Sequence, residues 1–234
     1  MAAGFREKIQ LNVSDGTVMQ AHVAGPEHPP ATRGIIVLQE AFGVNSHIRN
    51  VTDRFAHEGY TAIAPELFHR TGPGFEGSYT DFASVLPHYQ AVTEPGLEAD
   101  LAAAYGWLMS RGVKQVASVG FCLGGRVSFF ANAVLPLQAA VSYYGGGIAP
   151  GLLPRAASQH APILLYWGGL DKHISPDHVK SVADALRAAG KDFVNVEFSQ
   201  ADHGFNCDDR ASYNPAAAQE SWTLTLAFLK KHLS

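Results

Sequence analysis

One stretch, Gln115-Val-Ala-Ser-Val-Gly-Phe-Cys-Leu-Gly-Gly-Arg-Val-Ser-Phe-Phe130, limits what this chain can fold into more than any other. It runs from an extended-looking segment, Val116 to Val119, into a segment able to wind as a helix, Leu123 to Ala133. The two meet at Gly120-Phe121-Cys122-Leu123-Gly124, a glycine–x–nucleophile–x–glycine pattern with cysteine where serine is more usual. A strand-to-helix turn of this kind is tight and strained, so small residues must flank its central residue on both sides. The turn lifts the central side chain above a sheet and aims a helix N-terminus at it. That positive end favours a thiolate, and the Leu123 N–H points to where an oxyanion forms. Glycine-rich strand–helix turns also bind phosphates or merely pack closely, so the pattern acquires meaning only from the other strand ends.

Those strands are legible in order. Lys8 to Val13 places Ile9, Leu11 and Val13 on one face, Ser14-Asp15-Gly16 turns the chain, and Thr17 to Val23 returns as the second arm of an antiparallel edge hairpin. A Pro-rich loop, Gly25 to Pro30, precedes a short buried strand, Gly34 to Gln39. Asn45-Ser46 caps a helix carrying Ile48, Val51 and Phe55, which Gly59 ends before the strand Tyr60 to Ala64. From Glu66 to about Gln90 the pattern dissolves into glycine, proline and aromatics, as in a lid or site loop. Leu97, Leu101, Ala104 and Leu108 mark the helix before the elbow. Ala139 to Tyr144 and Ile163 to Trp167 are two more buried strands. A helix through Val179, Val182, Ala183 and Leu186 ends at Gly190, Phe193 to Phe198 alternates as a strand, and Trp222, Leu226 and Leu229 line a last helix starting near Pro215. Helices separating short apolar strands imply an α/β chain, with a mostly parallel sheet covered by helices on both faces and the hairpin at its N-terminal edge. No repeat or boundary appears, so residues 1–234 are expected to form one domain.

Composition removes other classes. Net charge is −4 with no basic block, which argues against nucleic-acid binding, and no apolar run is long enough for a membrane span. Apolar residues at 47% and charged ones at 16% leave no long disordered tract. The start, Met-Ala-Ala-Gly-Phe-Arg-Glu-Lys, lacks the apolar core of a signal peptide, and two cysteines make no disulfide scaffold, so a cytoplasmic setting is expected.

In an open α/β sheet, sites gather at the carboxyl ends of strands. Cys122, Asp171 (in Gly169-Leu170-Asp171), His203 (in Asp202-His203-Gly204) and Glu40 (in Gln39-Glu40-Ala41-Phe42-Gly43) all follow predicted strands. Nucleophile, acid, histidine is the chain order of an α/β-hydrolase. A thiol is mostly protonated at neutral pH; His203 would take or hold its proton and deliver it to the leaving group, while Asp171 fixes the imidazole tautomer. The N–H groups of Leu123 and Ala41 would hold the oxyanion. Among eleven histidines, His173 is the main rival to His203, and Asp177 and Asp202 rival Asp171. Cys207 has no elbow. No pair among Asp171, His173, Asp208 and Asp209 has a recognised metal spacing, so no metal is expected. Glu40, beside the expected oxyanion donor, either pairs with a nearby arginine or acts in the site. Phe42, Tyr89, Tyr144 and Trp167 either line a partly apolar pocket or pack the core.

Gln39-Glu40-Ala41-Phe42-Gly43-Val44-Asn45, Gly120-Phe121-Cys122-Leu123-Gly124-Gly125, Gly168-Gly169-Leu170-Asp171 and Asp202-His203-Gly204-Phe205 together resemble the dienelactone hydrolase (carboxymethylenebutenolidase) family, in order over nearly the whole chain. The resemblance implies an α/β-hydrolase fold, a Cys122–His203–Asp171 triad, no cofactor, and a Glu40 that helps to deprotonate the Cys122 thiol once substrate binds. It also implies ring opening of a small anionic enol-lactone. Family members hold the substrate carboxylate with two arginines, one in the lid region and one just after the catalytic histidine. Here no Lys or Arg lies between Arg70 and Arg111, and Phe205-Asn206-Cys207-Asp208-Asp209 follows His203, so Arg70 or Arg210 would have to substitute.

The expected activity is therefore hydrolysis of a small ester or lactone through a thiol acyl-enzyme, in a monomer or small homo-oligomer. Thiolate leaves readily, so activated esters are favoured over amides. A general carboxylesterase or thioesterase is the nearest alternative, and a non-catalytic or redox-sensing protein on the same scaffold is another.

Overall fold

The computed structural model describes residues 4–26 and 31–234. Its Cα framework divides into two compact units, one ending at Val116 and the other beginning at Ala117.

In the first unit, β1 (Phe5–Asn12) and β2 (Val18–Gly25) pair antiparallel with Phe5 opposite Gly25 and Asn12 opposite Val18. Asp15 organises the turn by accepting from the Thr17 N–H at 3.0 Å. β4 (Thr61–Pro65) pairs antiparallel with β2 and parallel with β3 (Arg33–Leu38), giving the order β1-β2-β4-β3. The Pro29-Pro30 end of the expected Pro-rich loop lies outside the described residues. Successive residues of β3 and β4 are buried alike, so layers cover both faces, as apolar runs without alternation require. One of these layers is α1 (Ser46–His57), whose cap Asn45 Oδ1 accepts from the Ile48 N–H at 3.2 Å. Another helix, α3 (Glu94–Ser110), is capped by Thr93 and buries Leu97, Leu101, Ala104 and Leu108 as their spacing predicts.

The segment from Glu66 to Gln90 is not wholly irregular. A helix, α2 (Phe82–Gln90), closes it, started by Asp81 Oδ1 accepting from the Ser84 N–H at 3.3 Å. Pro87 inside the helix and a buried face reduced to Val85 leave no apolar period to read, which is why the sequence shows none there.

In the second unit, β5 (Gln115–Phe121, begun at the end of the first), β6 (Ala139–Tyr143), β7 (Ile163–Gly168) and β8 (Phe193–Phe198) run parallel in chain order. α4 (Leu123–Val134), a 3₁₀ turn at Leu153–Ser158, α5 (Pro176–Ala188) and α6 (Pro215–His232) occupy the connections and the end. The inner stripe of α6 differs from expectation: Ala217, Ser221, Thr225 and Leu229 are buried, while Trp222 and Leu226 flank it half-buried. Two tyrosine hydroxyls explain the small polar residues. Tyr143 Oη meets Thr225 Oγ1 at 2.7 Å, and Tyr166 Oη donates to the Ser221 carbonyl at 2.9 Å. A buried hydroxyl needs such a partner. Because the four strands are parallel, the carboxyl ends of β5, β6, β7 and β8 share one edge of the unit, and the loops that leave it carry Cys122, Tyr144, Asp171 and His203.

No helix among the described residues is long and apolar enough to cross a membrane.

Candidate active site

Cys122 follows β5 with φ 55° and ψ −114°, a conformation that costs an L-residue about 1–3 kcal/mol and survives only where neighbours impose it. The neighbours here are backbone. A Cβ on Gly120 would collide with the Gly124 carbonyl, and one on Gly125 would sit 2.5 Å from the Tyr143 oxygen. The Cys122 N–H donates to the Tyr143 carbonyl at 3.0 Å, and the Cys122 carbonyl accepts from the Arg126 N–H at 3.2 Å. The thiol is thus held at the start of α4, partly exposed, with the Leu123 N–H in the first turn, where helix N–H groups lack intrahelical partners.

Asp171 and His203 leave β7 and β8. Asp171 Oδ2 accepts from His203 Nδ1 at 2.7 Å, and its Oδ1 accepts from the His173 and Ile174 N–H groups at 2.7 and 3.2 Å. A carboxylate facing Nδ1 places the proton there and leaves Nε2 for the second partner of the ring, the side chain of Cys122. Burial works against the imidazolium, but the Cys122 charge and the hydrogen bonds to Asp171 and Cys122 outweigh it, and the His203 pKa is pushed up to about 10. Burial also raises the Asp171 carboxyl, yet the His203 bond and the two backbone donors hold it below its ordinary value.

The rival residues do not take part in the bond between His203 Nδ1 and Asp171. His173 is exposed and turns its ring edge-on to His203, centroids 5.4 Å apart. Asp202 accepts the His203 N–H at 2.7 Å, and Asp177 is exposed in the first turn of α5. Tyr144, fully buried at φ 39°, sets its ring 5.1 Å from that of His203 and 5.2 Å from Phe205. Arg210 lies against the backbone next to His203: a Cβ on Gly204 would be 2.5 Å from its guanidinium carbon. Trp167 is buried with Nε1 donating to Asn195 Oδ1 at 2.6 Å.

In the first unit, Glu40 comes just after Gln39 beyond the end of β3 and is fully buried, and Ala41 and Phe42 are nearly so. Gln39 Nε2 donates to the Glu40 carbonyl at 3.2 Å while its Oε1 accepts from the Leu67 N–H at 3.0 Å. Phe42 packs on Tyr79 at 4.6 Å and Phe82 at 6.4 Å, and Tyr89 reaches the same Phe82 at 6.3 Å. Arg70 is the expected carboxylate binder whose surroundings argue otherwise. Its Nη1 and Nη2 grip the two oxygens of buried Asp100 at 2.8 Å each, and its Nε bonds Asp15 at 2.8 Å, so the fork is already filled.

The family model described as "Dienelactone hydrolase family" matches residues 19–233. The chain belongs to the dienelactone hydrolase family. A relative from Yersinia pestis, named "Putative carboxymethylenebutenolidase", is 35% identical over 231 residues, covering 94% of this chain and 86% of its own. A crystal structure titled "Putative Dienelactone Hydrolase" from Klebsiella pneumoniae superimposes with a TM-score of 0.84 at 33% identity, over 97% of this chain and 99% of that one. A "Dienelactone Hydrolase-like Promiscuous Phospotriesterase" from metagenomic libraries, 23% identical, shares the fold with a TM-score of 0.83 over 97% of this chain and 98% of its own. The chain is therefore a hydrolase with an α/β-hydrolase fold, its N-terminal hairpin antiparallel as the sequence predicts.

For this dienelactone hydrolase family member, sequence reasoning passed over Gln39, Tyr79 and Phe82. Gln39 carried a signal: an amide at the end of a buried apolar strand must find partners for both ends. Tyr79 and Phe82 sit in the stretch without periodicity, where no pattern separates a contact residue from a bystander.

Proposed function

We propose that the protein hydrolyses a small activated ester or lactone through a Cys122–His203–Asp171 triad and a thiol acyl-enzyme, working as one α/β-hydrolase domain. The observation that carries this reading is the His203 imidazole bonded through Nδ1 to Asp171 at 2.7 Å and hydrogen-bonded to the elbow thiol. The raised His203 pKa keeps the ring protonated and able to donate at neutral pH. Cys122 attacks the carbonyl carbon, and the Leu123 and Ala41 N–H groups hold the oxyanion. His203 gives its proton to the departing alkoxide or enolate, then takes one from the water that releases the acid. Glu40 is assigned the task the family resemblance implies, helping to deprotonate the thiol as substrate binds. Tyr144 and Phe205 beside His203 favour an apolar or conjugated acyl portion.

Arg210, against Gly204 beside His203, is the arginine we assign to a substrate carboxylate. Paired p-nitrophenyl esters, with and without a terminal carboxylate, test this beside a dienelactone. Arg210→Met is expected to raise KM about tenfold for the carboxylated members alone. Equal effects on both sets would move the assignment to a general carboxylesterase or thioesterase.

A further inference from the structure

The side chain of Gln39 is fully buried and spans two backbone groups, the Glu40 carbonyl at 3.2 Å and the Leu67 N–H at 3.0 Å. Its orientation is unambiguous, because a backbone N–H can only donate: Oε1 must face Leu67, which leaves Nε2 for the carbonyl. That carbonyl belongs to the same planar peptide unit as the Ala41 N–H, and the two point in opposite directions. Fixing one therefore fixes the other, and a hydrogen bond accepted at the oxygen strengthens the donor at the nitrogen. The residues that follow are held as well: the Phe42 carbonyl accepts from the Gly77 N–H at 3.0 Å, and Asn45 Nδ2 donates to Tyr79 Oη at 2.8 Å.

We infer that Gln39 is a positioning residue for catalysis, holding the Glu40–Ala41 peptide and with it the direction of the Ala41 N–H, the group assigned above to the oxyanion. Its anchor is Leu67, in the segment that leaves β4, so the loop after β3 takes its orientation from the start of the lid segment. The inference rests on the reading of Ala41 as an oxyanion donor for attack by Cys122. Losing an oxyanion donor outright costs about 10²–10³ in turnover, and losing its alignment should cost part of that.

The experiment compares Gln39→Met, which removes both bonds, with Gln39→Glu, which keeps the acceptor for Leu67 and loses the amide donor. Each is measured for kcat and KM on a p-nitrophenyl ester, for the inhibition constant of a trifluoromethyl ketone that forms a tetrahedral oxyanion adduct with the thiol, and for the iodoacetamide alkylation rate of Cys122. Both variants should lose roughly 10–100-fold in kcat with KM nearly unchanged. The ketone should weaken in parallel, and alkylation, which develops no oxyanion, should hold its rate. For Gln39→Glu, kcat relative to the unaltered enzyme should recover as pH falls and the new carboxyl gains a proton to donate. Unchanged kcat in Gln39→Glu, or alkylation slowed as much as turnover, overturns the inference. Full turnover by Cys122→Ala would instead remove the reading beneath it, so the two failures are distinguishable.

Discussion

At Cys122 the account is a matter of one torsion angle and one hydrogen-bonded ring. The strained elbow presents sulfur, and the imidazole is fixed by a carboxylate that is itself held by two backbone N–H groups. Asp171→Asn keeps that shape but permits the wrong tautomer, so kcat should fall on the order of 10²–10⁴-fold with little change in KM. Steady-state kinetics on one ester checks it, and an unaltered kcat would shift the role to Asp202 or Asp177. The raised His203 pKa has a sign. Its folded value, about 10, lies above the ordinary 6.5, so its contribution to stability is complete below about 6.5 and is lost as pH rises through about 10. An NMR titration of the His203 ring should show a midpoint far above 6.5, and Cys122→Ala should bring it down by removing the facing charge. A midpoint unmoved by the substitution would contradict the contact between Cys122 and the His203 ring.

Among the elements, the β5–α4 turn and the inner face of α6 make opposite demands on small residues. An exposed helical glycine replaced by alanine ordinarily gains about 1 kcal/mol. Gly125→Ala should reverse that sign and cost about 1–3 kcal/mol, because the added carbon meets the Tyr143 oxygen and the Gly145 backbone, neither of which can turn away. On α6, Thr225→Val removes the partner of the Tyr143 hydroxyl and should cost about 1–3 kcal/mol although it is nearly isosteric. Denaturant midpoints measure both. These two cases also separate what the chain makes legible from what it does not. Glycine spacing and strand order announce the elbow and all eight strands, since periodicity and tight turns are local properties. The Ser221–Thr225 stripe of α6 and the helix α2 were not legible, because the first answers to hydroxyls arriving from β6 and β7 and the second carries Pro87 and one buried side chain.

For the molecule as a whole, the two arginines left as candidates, one in the lid stretch and one after His203, sit in different surroundings. Sequence alone places Arg70 and Arg210 on an equal footing as carboxylate binders, and only three-dimensional neighbours separate them. Arg70 closes on Asp100, whose side chain is fully buried, while Arg210 lies beside the Gly204 backbone. Arg70→Met should therefore lower stability by roughly 3 kcal/mol, by stranding Asp100, and leave the preference between carboxylated and neutral esters as it was. A changed preference at unchanged stability would return Arg70 to the substrate. The triad itself is tested most directly by stoichiometric labelling. Iodoacetamide at neutral pH, with the adduct located by peptide mass spectrometry and residual turnover measured in the same samples, should place one carbamidomethyl group on Cys122 and abolish activity in proportion, with substrate slowing both. Fully labelled protein that still hydrolyses the ester would contradict the account.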